Sequence, residues 1–62
     1  MLVNWDKVEL ELMFAETKVT FALRYSRSRS IELVHKMISE AHQHLRKAAE
    51  ELGYVRGERI GK

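Results

Sequence analysis

The sequence predicts an α+β fold in which an antiparallel β-hairpin is followed by one long amphipathic helix, a ββα unit. Two successive segments place a large apolar residue at every second position, which is typical of half-buried strands. A later segment repeats apolar residues at spacings of three and four, which is typical of an amphipathic helix. The 62 residues form one domain with a thin core, so we expect homodimerisation to complete the fold.

The predicted strands cover residues of about 7–15 and 18–26, with only residues 15–18 between the two alternating runs. If Glu16 and Thr17 form the turn, all the alternating apolar residues fall on one face of an antiparallel pair. The turn lacks the Asn-Gly or Asp-Gly of a tight hairpin, and a four-residue loop in the same register stays open. The predicted cross-strand pairs are Val8 with Tyr25, Leu10 with Leu23, Leu12 with Phe21, and Phe14 with Val19.

The predicted helix covers residues of about 30–52 and contains neither Gly nor Pro. Ser30 is the expected N-cap, with Ser28 as the competing cap, and Glu32 lies in the first turn, where the helix dipole favours an acid. Gly53 is the expected C-cap. One continuous apolar stripe runs through Ile31, Val34, Met37, Ile38, Ala41, Leu45, Ala48 and Leu52, and this stripe is expected to lie across the apolar face of the hairpin.

Self-association is expected from what the chain lacks. There is no cysteine, which excludes disulfides and thiolate metal sites. A two-stranded sheet also leaves two open edges, and apolar residues flank both predicted elements. Two explanations stay open: these residues fold back on the same monomer, or two copies close the core by two-fold symmetry, joining hairpin edges or packing helices. We expect a homodimer or higher oligomer.

Positive charge is concentrated at two places in a chain whose net charge is only +2. The first is the junction before the predicted helix, and the second is the basic tail 54–62. Guanidinium groups near a helix N-terminus suit phosphate, because each can donate two hydrogen bonds. In the alternative interpretation the arginines pair with Glu9, Glu11 or Glu32 and the tail is a frayed end. The candidate anion- or nucleic-acid-binding residues are Arg24, Arg27, Ser28, Arg29, Ser30, Arg56 and Arg59.

Neither a metal or cofactor site nor a catalytic site is expected. His35 and His42 are about 10 Å apart along a helix, too far to share one ion, and Glu40 with His44 supplies only two ligands. The carboxylates of Glu9 and Glu11 are expected in solvent beside Arg24. The chain has no cysteine nucleophile and no Gly-rich phosphate loop.

The sequence therefore predicts a small non-enzymatic homo-oligomeric binding or regulatory protein that contacts nucleic-acid phosphates through its arginine-rich junction. The alternative is a protein–protein interaction module, such as an adaptor, inhibitor or assembly subunit, with no nucleic-acid role. A structural or enzymatic oligomer has no specific support. No apolar run approaches the length of a membrane span, and the first residues lack the pattern of a signal peptide. We expect a cytoplasmic protein without a membrane partner.

Overall fold

The computed structural model describes residues 2–53. Over this range the chain forms two helices and no strand. Helix α1 spans Trp5–Arg27 and helix α2 spans Ile31–Leu52. The two helices pack along each other and are joined by residues 28–30 only, and so short a connection makes them antiparallel neighbours. The molecule is a helical hairpin.

The predicted β-hairpin, and with it the α+β class, is wrong. The segments predicted as strands, 7–15 and 18–26, both lie in α1, and residues 15–18 continue that helix without a turn. The predicted cross-strand pairs, such as Val8 with Tyr25, do not form because their members occupy different turns of one helix. The ββα unit is replaced by two antiparallel helices.

Local preferences explain why the first segment is helical. Residues 5–27 contain no Gly or Pro and are rich in Leu, Glu, Ala and Lys, which are good helix formers. Asn4 caps the helix, since its side chain accepts a hydrogen bond from the backbone N–H of Lys7 at 3.2 Å. Thr17 and Thr20 donate their hydroxyls to the carbonyls four residues earlier, at 3.1 and 3.0 Å, an arrangement that accommodates threonine inside a helix.

The alternation misled because α1 is apolar on both flanks of the side that contacts α2. One set of apolar residues follows helical spacings of three and four and includes the residues buried against α2. A second set lies on the flank at the other side of this contact. Superimposed along the sequence, the two flanks produce an apparent period of two. The first set is Trp5, Val8, Leu12, Ala15, Val19 and Ala22, and the second is Leu10, Phe14, Phe21 and Tyr25.

The prediction of the second helix is confirmed. Ser30 is its N-cap and accepts a hydrogen bond from the backbone N–H of Leu33 at 3.4 Å, with Glu32 in the first turn. Gly53 is its C-cap in the left-handed conformation, with φ of 86°. The competing cap, Ser28, instead terminates α1. Both boundaries follow from cap chemistry that is local in the sequence.

The two helices contact each other mainly through short side chains. In each helix a small apolar residue recurs every seven positions and faces the other helix, which allows close approach of the two backbones. Met37 is the largest buried side chain in this contact. No large side chain among residues 2–53 is completely enclosed, so the core of one hairpin is thin. The buried apolar residues are Val8, Ala15, Ala22, Met37, Ala41 and Ala48.

Candidate functional site

The arginines predicted as an anion-binding junction lie at the tip of the hairpin, where α1 ends and α2 begins. Arg24 and Arg27 belong to the last turn of α1, and not to an extended linker. Arg29 lies in the connection with a left-handed φ of 59°. All three side chains are exposed, so the structure brings the predicted arginines together at one end of the molecule.

Three backbone hydrogen bonds hold the tip in shape. The N–H groups of Ser28 and Ser30 donate to the carbonyl of Tyr25, at 3.0 and 3.4 Å, and the N–H of Arg29 donates to the carbonyl of Ser26 at 3.1 Å. Ser28 and Ser30, predicted to bind an anion, therefore serve as the caps of α1 and α2. The positions of the arginines are fixed by the turn between two capped helices.

The electrostatics of the tip combine two helix ends of opposite polarity. Arg24 and Arg27 lie beside the C-terminal carbonyls of α1, where cations are stabilised. The guanidinium carbon of Arg24 also lies 5.7 Å from the centre of the Phe21 ring, within cation–π range. Within residues 2–53 the ion pairs involve other residues, and the predicted pairing of the arginines with Glu9, Glu11 or Glu32 is not observed. The guanidiniums at the tip therefore face solvent.

An open groove of about 470 Å³ starts at the tip and runs along one side of the hairpin. Its polar end is formed by Ser26, Arg29 and Ser30, and its floor is apolar. The groove therefore connects the arginine-rich tip to an apolar surface. The remaining lining residues are Ile31, Val34, His35 and Ile38.

That apolar surface extends over both helices. Large residues recur every seven positions in α1 and again in α2, and each set adjoins the buried small residues at spacings of three and four. Ser26 continues the set in α1 and lines the same groove as Ile31 and Ile38 of α2, which places both sets on one side of the hairpin. We call them the large-residue columns: Trp5, Leu12 and Val19 in α1, and Ile31, Ile38, Leu45 and Leu52 in α2.

Sequence reasoning missed a buried polar pair between the helices. Glu11, expected in solvent on a strand, is only 8% exposed, and its carboxylate lies 2.7 Å from the Nδ1 of His44. The Phe14 ring packs against the imidazole, with the ring centres 5.1 Å apart. The signal that could have revealed this position is its helical spacing, because Glu11 lies three residues after Val8 and four before Ala15.

The hydrogen bond from His44 is the main cause that lowers the pKa of Glu11 below its usual value. Burial acts in the opposite direction, and the charges of His44, Lys47 and Lys7 lower the pKa of Glu11 further. The carboxylate is thus the favoured form, and the imidazole is its hydrogen-bond donor. This pair joins the middle of α1 to α2 on the side opposite the large-residue columns.

An ion pair between Lys18 and Glu40 lies on the same side. The Nζ of Lys18 is 2.8 Å from a carboxylate oxygen of Glu40, and this contact is the main cause that lowers the pKa of Glu40. At the open end of the hairpin, the backbone N–H of Asn4 donates to the Glu51 carboxylate at 3.2 Å. Together with the Glu11–His44 hydrogen bond, these contacts fix the alignment of the two helices, because each joins one position of α1 or its N-cap to one position of α2.

Neither the histidines nor the carboxylates assemble a metal site in the described part of the chain. No three His, Asp or Glu side chains there come close enough to hold one ion. His44 is engaged by Glu11, and Glu40, which was considered as its co-ligand, is engaged by Lys18. The tail arginines Arg56 and Arg59, also predicted to bind anions, lie outside the described residues.

Comparison with protein-family models, with curated proteins and with solved structures found no significant match. Neither described helix combines the length and apolarity needed to cross a bilayer.

Proposed function

We propose that this chain is a small non-enzymatic binding or regulatory protein that self-associates and contacts the phosphates of a nucleic acid through its arginine-rich tip. The observation that carries the proposal is the tip itself. It presents Arg24, Arg27 and Arg29 to solvent at one end of the hairpin, and no carboxylate within residues 2–53 forms an ion pair with them. Guanidinium groups bind phosphate oxygens through paired hydrogen bonds and charge.

The proposed contact reads charge and not base sequence. The tip is a short turn between two helices, so it offers no free helix or strand of the kind that enters the major groove. Contacts to phosphate release counterions, and the logarithm of the affinity then falls with the logarithm of the salt concentration by about 0.9 per contact on duplex DNA. Three contacts predict an affinity loss of about 40-fold between 50 and 200 mM salt.

The test is fluorescence anisotropy of labelled duplex and single-stranded oligonucleotides titrated with the full chain over that salt range. A variant carrying Arg27→Gln and Arg29→Asn removes two tip charges. Asparagine suits position 29 because it tolerates the left-handed backbone. This variant is expected to bind more weakly at low salt and to lose only about 3- to 4-fold in affinity across the range.

The matched control carries Arg46→Gln and Lys47→Gln, which removes the same charge near the other end of the hairpin. We expect it to keep most of the affinity and of the salt dependence of the unchanged chain. No binding to any oligonucleotide at low salt, an affinity independent of salt, or an equal loss in the control would refute the proposed contact.

A protein–protein interaction module is the second candidate, and the exposed apolar surface favours it. The large-residue columns run along α2 from end to end and along α1 as far as Val19, and their side chains are exposed in the single hairpin. Surfaces of this kind mark sites of association. The solution mass separates the two candidates, because a hairpin that stays monomeric while folded leaves this surface free for a different protein.

A further inference from the structure

We infer that a second copy of this chain covers the large-residue columns, so that two hairpins pack face to face as a four-helix bundle. The inference rests on the proposed function, which assumes self-association, and deepens it by naming the surface. Each column side chain is between 37 and 83% exposed in the single hairpin. The single hairpin thus buries mostly small residues and leaves the column residues exposed.

The residue pattern is that of helices packed on more than one side. In both helices each column residue up to Leu45 is followed three positions later by an alanine or a valine. The next column residue comes four positions after that, except that Ser26 takes this place in α1. This seven-residue repeat places the column residues on one line along each helix and the alanine or valine residues on a second line beside it. Within the hairpin the second line is buried, at Ala15, Ala22, Ala41 and Ala48, together with Val8, Glu11 and Met37. The large-residue columns are left to contact the helices of another hairpin.

The uncovered area matches what a stable interface needs. The seven column side chains together leave on the order of 700 Å² exposed on one hairpin, close to the roughly 800 Å² that each partner buries in a standard protein interface. The same face carries Leu23, which is 59% exposed and adds to this area. A small-molecule ligand would cover only a fraction of such a surface.

The opposite face is a poorer interface, although it also carries apolar residues of α1. It is crossed by the hydrogen bond between Glu11 and His44 and by the ion pair of Lys18 with Glu40. Burying these groups against another chain would cost solvation without new partners. The large-residue columns contain no charged side chain over residues 5–52, so the face that carries them is the one that association favours.

A second copy, and not a different protein, fits this face because the hairpin lacks a sufficient core of its own. Its buried residues are alanines, two larger side chains, Val8 and Met37, and the polar Glu11, and no disulfide is available to hold it together. The folded chain therefore needs a further interface that buries its exposed apolar residues. The columns of α1 and α2 share the same seven-residue repeat, so the face complements itself about a two-fold axis.

The test is the mass of the full chain by sedimentation equilibrium, with helix content followed by far-UV circular dichroism. The expected mass is twice 7.3 kDa. Ile38→Asp places a charge in the middle of the interface and is expected to weaken association by at least 100-fold. The control Met13→Asp adds the same charge at a residue that is 60% exposed and outside the columns, and it is expected to remain a dimer.

Trp5, the only tryptophan, reports on the interface in the unchanged chain, so the test does not depend on a variant that stays folded. It belongs to a large-residue column, and we expect acrylamide to quench it several-fold more strongly on dilution to the monomer. A folded chain with the mass of one copy would overturn the inference, whether Trp5 is exposed or shielded. A dimer that Met13→Asp dissociates as fully as Ile38→Asp would overturn the assigned face.

The two proposals fail separately. Oligonucleotide binding by a chain that sediments as a monomer would refute the interface and leave the phosphate contact standing. A dimer that binds no oligonucleotide would refute the phosphate contact and leave the interface standing.

Discussion

Substitution of Met37 by alanine tests the interhelical core of the hairpin quantitatively. Met37 is the largest buried side chain between α1 and α2 and is only 8% exposed. Truncation of a buried methionine to alanine costs about 2–5 kcal/mol, the sum of lost transfer free energy and the cavity left behind. The hairpin is thin and the site borders solvent, so we expect the lower part of this range, about 2–3 kcal/mol.

Met13→Ala is the matched control, because it removes the same atoms from a helical position that is 60% exposed. Both substitutions gain the same small helix-propensity benefit, which cancels in their difference. We expect Met13→Ala to change the free energy of unfolding by less than about 0.5 kcal/mol. The gap of at least about 1.5 kcal/mol corresponds to a Tm difference of about 6–12 °C in a domain of this size.

The assay is urea unfolding followed by far-UV circular dichroism, with all chains at one concentration because association adds to apparent stability. Equal free energies of unfolding for the two variants would refute the assigned packing. A larger loss for Met13→Ala than for Met37→Ala would place the core on a different side of the hairpin.

Two further predictions concern the buried pair and the helix ends. Since the pKa of Glu11 is lowered in the folded chain, its contribution to stability is present above about pH 4.5 and is lost as the pH falls through the lowered value. The free energy of unfolding, measured in urea between pH 3 and 7, should therefore fall less steeply towards low pH for Glu11→Gln than for the control Glu9→Gln. Gly53 and Arg29 both have left-handed backbones. In thermal unfolding, Gly53→Ala should lower the free energy of unfolding by about 1 kcal/mol and Arg29→Gly should raise it by about 0.5–1 kcal/mol. A change of the same sign in both variants would contradict this explanation.

The second helix could be predicted from the sequence because its signals are local. Ser30, Glu32 and Gly53 mark its ends through cap and dipole chemistry, and the single apolar stripe between them has only a helical period. No competing pattern occurs in residues 31–52. The confirmed boundaries therefore depend on residues that lie within a few positions of each end.

The first helix could not be predicted because its apolar residues contact two different surroundings. Val8 faces α2 and Leu12 lies on the flank of the large-residue columns, whereas Leu10 and Phe14 lie on the flank of the Glu11–His44 contact. In sequence these four residues alternate with a period of two. Only the absence of Gly, Pro and Asn at residues 15–18 argued against a turn. Periodicity alone does not separate a strand from a helix that is apolar on two flanks.

In the candidate site, too, features set by neighbouring residues could be predicted and features set by contacts between the helices could not. The clustering of Arg24, Arg27 and Arg29 was visible because they are neighbours in sequence. The pairing of Glu11 with His44 joins residues 33 positions apart, and it required the alignment of the two helices. The apolar face likewise emerged only when the large-residue columns of both helices could be placed on one side of the hairpin.

The most direct test of the dimer interface is an isotope-filtered NOESY spectrum of a mixture of labelled and unlabelled full-length chains. It detects only contacts between protons of different copies. The four-helix bundle predicts intermolecular contacts among the methyl groups of Leu12, Val19, Ile38 and Leu45. Intermolecular contacts from Leu10 and Phe14 instead, or none from a folded chain, would contradict the proposed interface.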